Sequence, residues 1–259
     1  MKNATKMIVT DLDGTLLRTD KTISERTKTA LRRCKEAGIK IAYATGRGGS
    51  AARLTPSELF DGEITMNGAI GKVENAIVYN RLIPYQVARP VLMSCNERGI
   101  KMASEISGMH YTNFITTDIW PTLTNFEIVD FSQHEQDAEK IYSPNPTPED
   151  ESFIRQLLTD GLYLVITSDG ANGSLLQIMN RDATKSKAVA ELARLWNIAP
   201  SEIAAFGDEL NDIDMLTHAG IGIAMENALD EIKAVSNFIC PSNDEDGLAK
   251  WIETNILSC

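Results

Sequence analysis

The sequence predicts an α/β protein: a doubly wound, Rossmann-like parallel-sheet core with an α+β domain inserted into it. Three observations predict this. Short, uninterrupted apolar runs alternate with amphipathic stretches in the first and last thirds of the chain, the rhythm of β-α-β units whose strands are covered on both faces. Residues 82–181 break that rhythm with strand-like patches, helical stretches and a proline-rich segment. Charged or phosphate-binding residue types stand directly after the apolar runs, where open α/β sheets place ligands.

The run at 7–10 (MIVT) reads as the first strand. A helix follows Ser24, a fitting N-cap, with Ala30, Leu31 and Cys34 facing inward and Gly38 as the stop. Strands follow at 39–44 and 64–67, and the expected boundaries are 1–81 plus 182–259 for the core and 82–181 for the inserted domain. Within the inserted domain, TNFEIVDF and LYLVITS read as strands. The alternation resumes with a helix over 185–196, whose buried face is assigned to Ala188, Leu192 and Leu195. Strands at 203–206, 221–224 and 237–240 complete the second half.

The chain has 259 residues, is 43% hydrophobic and 24% charged, and is long enough for one large domain or two smaller ones. A net charge of −11 argues against nucleic acid, which demands clustered Lys and Arg. A small substrate is the expectation. Neither a secretory leader nor a membrane-spanning stretch is read, and Cys34, Cys95, Cys240 and Cys259 form no CxxC pair, so they are expected as reduced thiols in a cytoplasm.

Four blocks carry chemistry. Asp11 and Asp13 follow the first strand in MIVTDLDGTLL. A carboxylate there can attack phosphorus if a cation offsets the repulsion between anions. A second carboxyl held nearby would be biased toward its protonated form and could serve a leaving oxygen as acid, while Gly14 and Thr15 let the backbone close around a phosphate. Thr45, Gly46 and Arg47 follow the next strand and could hold phosphate oxygens. Lys185 opens a helix, a place that favours anions, so an anionic neighbour is expected. In GDELNDID, Asp208 and Asp212 are four apart and would share a helix face around a hard cation such as magnesium.

DLDGT, ATGR, a helix-leading lysine and GDELND, in this order, resemble the haloacid dehalogenase-like hydrolases, close to the Cof-like branch of sugar-phosphate phosphatases. MNGA (66–69), the stretch 219–239 and NDEDGLAKWI (243–252) resemble that branch too. The resemblance implies a mobile cap and a Mg²⁺-dependent phosphatase acting on a small phosphomonoester. It makes Asp11 nucleophile and metal ligand, and Asp13 general acid/base with its backbone carbonyl on the metal. Thr45, Gly46, Arg47 and Asn211 become phosphate ligands, Lys185 steadies nucleophile and phosphate, and Asp208 and Asp212 bind metal, the latter directly or through water. Ser186 stands where the branch has glycine. Cap residues His110, Tyr111, Trp120 and Asp169 could face substrate, although aromatics at such spacing suit a core equally. His134 and His218 are given no catalytic part. Phosphomutase-type transfer and a non-catalytic phospholigand regulator are the alternative readings, and no partner protein is implied.

Overall fold

Strand β1 (Met7–Thr10) is buried along its whole length, as an apolar run flanked by strands and covered on both faces must be. It leads through α1 (Glu25–Glu36) to β2 (Lys40–Ala44), β3 (Gly62–Thr65), β4 (Ile70–Val73) and β5 (Ala76–Asn80). These elements come from a computed structural model that describes residues 5–168 and 172–258; Asp169 and Cys259 lie outside the described residues. The chain divides into two compact units, Met1–Asn80 with Thr184–Cys259, and Arg81–Ala183.

The second unit contains α2 (Tyr85–Glu97), β6 (Ala103–Ile106), β7 (Met109–Thr112), β8 (Phe126–Ile128), β9 (Lys140–Pro144), α3 (Pro148–Leu157), β10 (Leu162–Ser168) and β11 (Ser174–Asn180). Its strands form a six-stranded sheet, β10-β11-β9-β6-β7-β8, antiparallel except at β7/β8. Val91, Leu92 and Cys95 of α2 and Ile154 of α3 pack with Ile141 and Ile178 of the sheet. This is the inserted α+β cap.

The first unit resumes with α4 (Lys185–Leu195), β12 (Ile203–Gly207), α5 (Ile213–His218), β13 (Ile221–Met225), α6 (Asp230–Val235), β14 (Phe238–Cys240) and α7 (Gly247–Asn255). Its sheet runs β14-β13-β12-β1-β2-β3-β4-β5, with the first six strands parallel and the β4–β5 hairpin antiparallel at the edge. Strand order grows in one direction from β1 and in the other from β12, so the topological switch lies between these two neighbours.

Local signals account for the helices. Ser24 caps α1 by accepting the Thr27 N–H, and Gly38 turns the chain out at a φ of +81°. Thr184 caps α4 in the same way. Leu195 is 51% exposed, correcting the sequence reading. The inward stripe of α4 centres on Lys185, Val189 and Leu192, and Leu195 stands about a quarter turn away from it. Cys34, Cys95 and Cys240 are buried free thiols, pushed up by burial to about 11, 12 and 12, so they pack as small apolar groups. Among the described residues no helix is long and apolar enough to cross a membrane.

Candidate active site

The parallel register that pairs Thr10 with Phe206 brings the residues after β1 and β12 side by side at the switch point, and the Asp11 N–H donates to the Phe206 carbonyl at 3.0 Å. Asp11, Asp208 and Asp212 are buried there, and each offers a carboxylate oxygen within 4.8 Å of the others. The Lys185 ammonium, buried at the first turn of α4, bridges two of them, with Nζ 2.7 Å from Asp11 Oδ1 and 2.7 Å from Asp212 Oδ1. The other Asp212 oxygen accepts the Asp208 and Glu209 N–H groups at 3.0 and 3.1 Å, which fixes the carboxylate without a helical i,i+4 stack. Residues 210–212 form a tight 3₁₀ turn there instead, and α5 begins only at Ile213.

Three buried carboxylates against one ammonium leave the cluster short of positive charge. Burial, then the neighbouring Asp212, pushes Asp11 up to about 7 against the attraction of Lys185. Burial, then Asp11, pushes Asp208 up to about 8. Burial opposes the charge on Lys185, but the two carboxylates outweigh it and raise its pKa, so the ammonium persists. All-oxygen donors, excess negative charge and carboxylates that resist ionising until a cation joins them fit Mg²⁺.

Asp13 differs from expectation. Its carboxylate accepts Arg47 Nε and, at 2.7 Å, Arg47 Nη2, and it receives Lys21 Nζ at 2.7 Å. Burial pulls its pKa up, but these hydrogen bonds win and hold the carboxyl below its usual range, so it is ionised here rather than biased toward the acid. The Thr15 hydroxyl is likewise committed, donating to Asp208 Oδ1 at 2.5 Å. Sequence reasoning gave no role to Lys21, for which no local signal exists, nor to the bond by which Thr15 orients a carboxylate.

Thr45 is buried beyond β2 and its hydroxyl accepts the Arg47 N–H at 3.2 Å, closing the 45–47 loop. A Cβ on Gly46 would stand 3.0 Å from Asn67 Oδ1, and Arg47 spends its guanidinium on Asp13. Asn211 Nδ2 donates at 2.8 Å to Asn67, a residue that the sequence reading left without a part. In the second unit, His110 is buried against the Tyr142 hydroxyl at 2.8 Å and Trp120 packs edge-on to Tyr142, whereas Tyr111 and His134 line a cavity of about 710 Å³. His218 is exposed on α5, with Nδ1 2.7 Å from the Asp214 carbonyl oxygen.

Gly14 supplies a first test. Its φ is +75°, and a Cβ there would meet Asp208 Oδ2 at 2.2 Å. Gly14→Ala should therefore lower kcat/KM about 10²-fold or more and abolish Mg²⁺-dependent thermal stabilisation, read by calorimetry with and without the ion.

A family model described as haloacid dehalogenase-like hydrolase matches residues 8–252. A 5-amino-6-(5-phospho-D-ribitylamino)uracil phosphatase of Bacillus subtilis is 29% identical over 266 residues, covering 98% of both chains. A protein of Haemophilus influenzae named as a putative phosphatase is 28% identical over 261 residues, covering 96% of this chain and 97% of the relative. Among solved structures, a phosphatase of the haloalkanoate enzyme superfamily from Bacteroides thetaiotaomicron superposes with a TM-score of 0.84 at 26% identity, covering 98% of this chain and 96% of that one. A sugar phosphatase of subclass IIB gives 0.80 at 28% identity, over 96% and 98% of the two chains.

Proposed function

We infer the activity from one premise: this chain belongs to the haloacid dehalogenase-like hydrolase family. It is a phosphatase, a hydrolase of phosphoric monoesters. The finer reading is Mg²⁺-dependent hydrolysis through an aspartyl-phosphate on Asp11, and the observation that carries it is the Asp11–Lys185–Asp212 bridge beside Asp208 at the switch point.

Asp11, Asp208 and Asp212, with the Asp13 backbone carbonyl, would hold the cation, which when bound neutralises phosphoryl and carboxylate charge. Lys185 holds Asp11 by one oxygen, leaving the other to attack phosphorus. The phosphorus–oxygen bond to the leaving group breaks as the Asp11–phosphorus bond forms, and the leaving oxygen takes a proton. Water then attacks the phosphorus, loses its proton and regenerates the Asp11 carboxylate. Asp13 is assigned both proton transfers. Its ionised state here is that of the base in the second step. For the first step, Asp13 must carry a proton, which requires both the Arg47 guanidinium and the half-exposed Lys21 ammonium to turn from Asp13 to the incoming phosphate and so lift the hydrogen bonds that depress it. Thr45, Gly46 and Asn211 are the remaining phosphate ligands.

The unit Arg81–Ala183 is assigned the choice of leaving group, and the named activities of the relatives point to small sugar or polyol phosphates. The buried, unreactive thiols accord with a reducing cytoplasm. Phosphate release from a panel of sugar, polyol and nucleoside monophosphates, with Mg²⁺ and with chelator, tests the reading. Release that needs Mg²⁺ supports it; equal release in chelator contradicts it. Because Asp11 and Asp208 must lose protons to bind a cation, Mg²⁺ should raise Tm more at pH 8 than at pH 6, and this pH dependence should be weaker in Asp208→Asn, where only Asp11 still titrates.

A further inference from the structure

The turn between β3 and β4 carries MNGA, a stretch recognised in the sequence to which the mechanism gives no task. Its backbone is unusual. Met66 and Asn67 both have a φ of +53° and Gly68 a φ of +101°, so two non-glycine residues in succession are left-handed. Such strain persists only where the surroundings over-determine it.

The surroundings here are the loops of the active site. The Met66 N–H donates to the Arg47 carbonyl at 2.9 Å and the Asn67 N–H to the Thr45 carbonyl at 2.9 Å, tying down both ends of the 45–47 loop. Asn67 is buried, and its Oδ1 accepts the Asn211 Nδ2–H at 2.8 Å. The same oxygen lies so close to Gly46 that a Cβ on Gly46 would stand 3.0 Å from it. Gly68 lies flat on the start of α4, where a Cβ would meet the Thr184 carbonyl oxygen at 2.2 Å and the Lys185 nitrogen at 2.9 Å. One turn thus touches three separate stretches of chain, those of Thr45–Arg47, Lys185 and Asn211.

We propose that Asn67 is a positioning residue for phosphate binding, its side chain acting through Asn211 while its backbone N–H, which any residue would supply, holds the 45–47 loop. Its side chain takes one N–H of the Asn211 amide and fixes the plane of that amide, leaving the second N–H for a phosphoryl oxygen. The buried Asn211 Oδ1 has no hydrogen-bond partner among the described residues, so no other bond sets this plane. Asparagine suits the position twice over, since it tolerates the left-handed backbone better than other side chains and also presents the acceptor. This inference rests on the phosphate-ligand reading of the preceding section.

The test measures orthophosphate affinity by titration calorimetry, alongside kcat and KM, in the full chain with Mg²⁺. Asn67→Gly keeps the left-handed backbone and removes the whole side-chain amide, so Tm should fall modestly while the orthophosphate dissociation constant and KM each rise about tenfold. Asn67→Ala adds backbone strain and should lower Tm as well. Asn67→Gly combined with Asn211→Ala should be no worse than Asn211→Ala alone, because the first residue acts through the second. Unchanged orthophosphate affinity in Asn67→Gly, or additive losses in the double variant, would overturn the proposal. Because orthophosphate binding needs no turnover, a wild type that binds phosphate without hydrolysing esters would count against the phosphatase mechanism and leave the Asn67 comparison decisive.

Discussion

Asp11→Asn should lower kcat by at least about 10³-fold while leaving a folded protein, because it exchanges the oxygen proposed to attack phosphorus for an amide of the same shape. The structure separates this loss from a folding defect. Asn keeps an oxygen acceptor for Lys185 Nζ, whose second bond to Asp212 is untouched. Burial raises Asp11 from 3.8 to about 7, so the folded state holds its proton more tightly than the unfolded chain does. A group shifted in this direction loses stability for the fold as pH rises from near 4 through about 7. The variant escapes that loss. Without added metal at pH 8, its Tm should equal or exceed that of the wild type, whereas its stabilisation by Mg²⁺ should be smaller. Calorimetry and steady-state phosphate release on the same preparation check both halves. A variant that fails to turn over because it is unfolded would contradict the account of the cluster.

Lys185→Ala should damage stability and activity together. Its side chain is completely buried and makes two bonds of 2.7 Å, so truncation strands two buried carboxylates with no counter-charge. Breaking a buried pair in this way costs about 3–5 kcal/mol. The cost depends on pH with a definite sign. Without the ammonium, Asp11 is raised further above its unfolded value, so the variant should be closest to wild type near pH 5 and fall away as pH climbs past 7. Activity should drop by about 10²- to 10³-fold or more, since the charge that holds Asp11, and that is proposed to face the phosphoryl group, is gone. Lys185→Met fills much of the same space. It should recover part of the packing and none of the activity, which distinguishes charge from volume. Denaturant titrations across this pH range, with and without Mg²⁺, provide the measurement.

The α/β architecture was legible because its strands are fully buried, and complete burial leaves an uninterrupted apolar run such as MIVT or IAAF in the sequence. Helix starts were legible for a local reason: Ser24 and Thr184 satisfy backbone N–H groups within a few residues of themselves. The inserted unit showed itself as a break in rhythm, but its strand order β10-β11-β9-β6-β7-β8 depends on contacts between distant segments that no local pattern records. Leu195 was misread because an apolar residue in the last turn of a helix extends the stripe on paper while its side chain has already rotated away.

The same division holds at the site. The gathering of Asp11, Asp208 and Asp212 follows from position, since each stands just beyond β1 or β12 and those strands are neighbours. The state of Asp13 was not legible. It is set by Arg47, thirty-four positions away, and by Lys21 on a surface loop, so proximity to Asp11 in sequence pointed to the wrong protonation state. The side-chain bonds of Thr15 and Asn67 escaped for a related reason. Their partners, Asp208 and Asn211, are brought close only by the closure of the sheet.

The central claim is a covalent bond between phosphorus and Asp11. The measurement that tests it most directly is rapid acid quenching during turnover of a panel substrate with Mg²⁺, followed by proteolysis and mass spectrometry of the peptide that contains Asp11. The account predicts a phosphoryl group on that peptide, labile to hydroxylamine and absent from Asp11→Asn. Steady turnover with no phosphoryl group on Asp11, or with one on another residue, would contradict it.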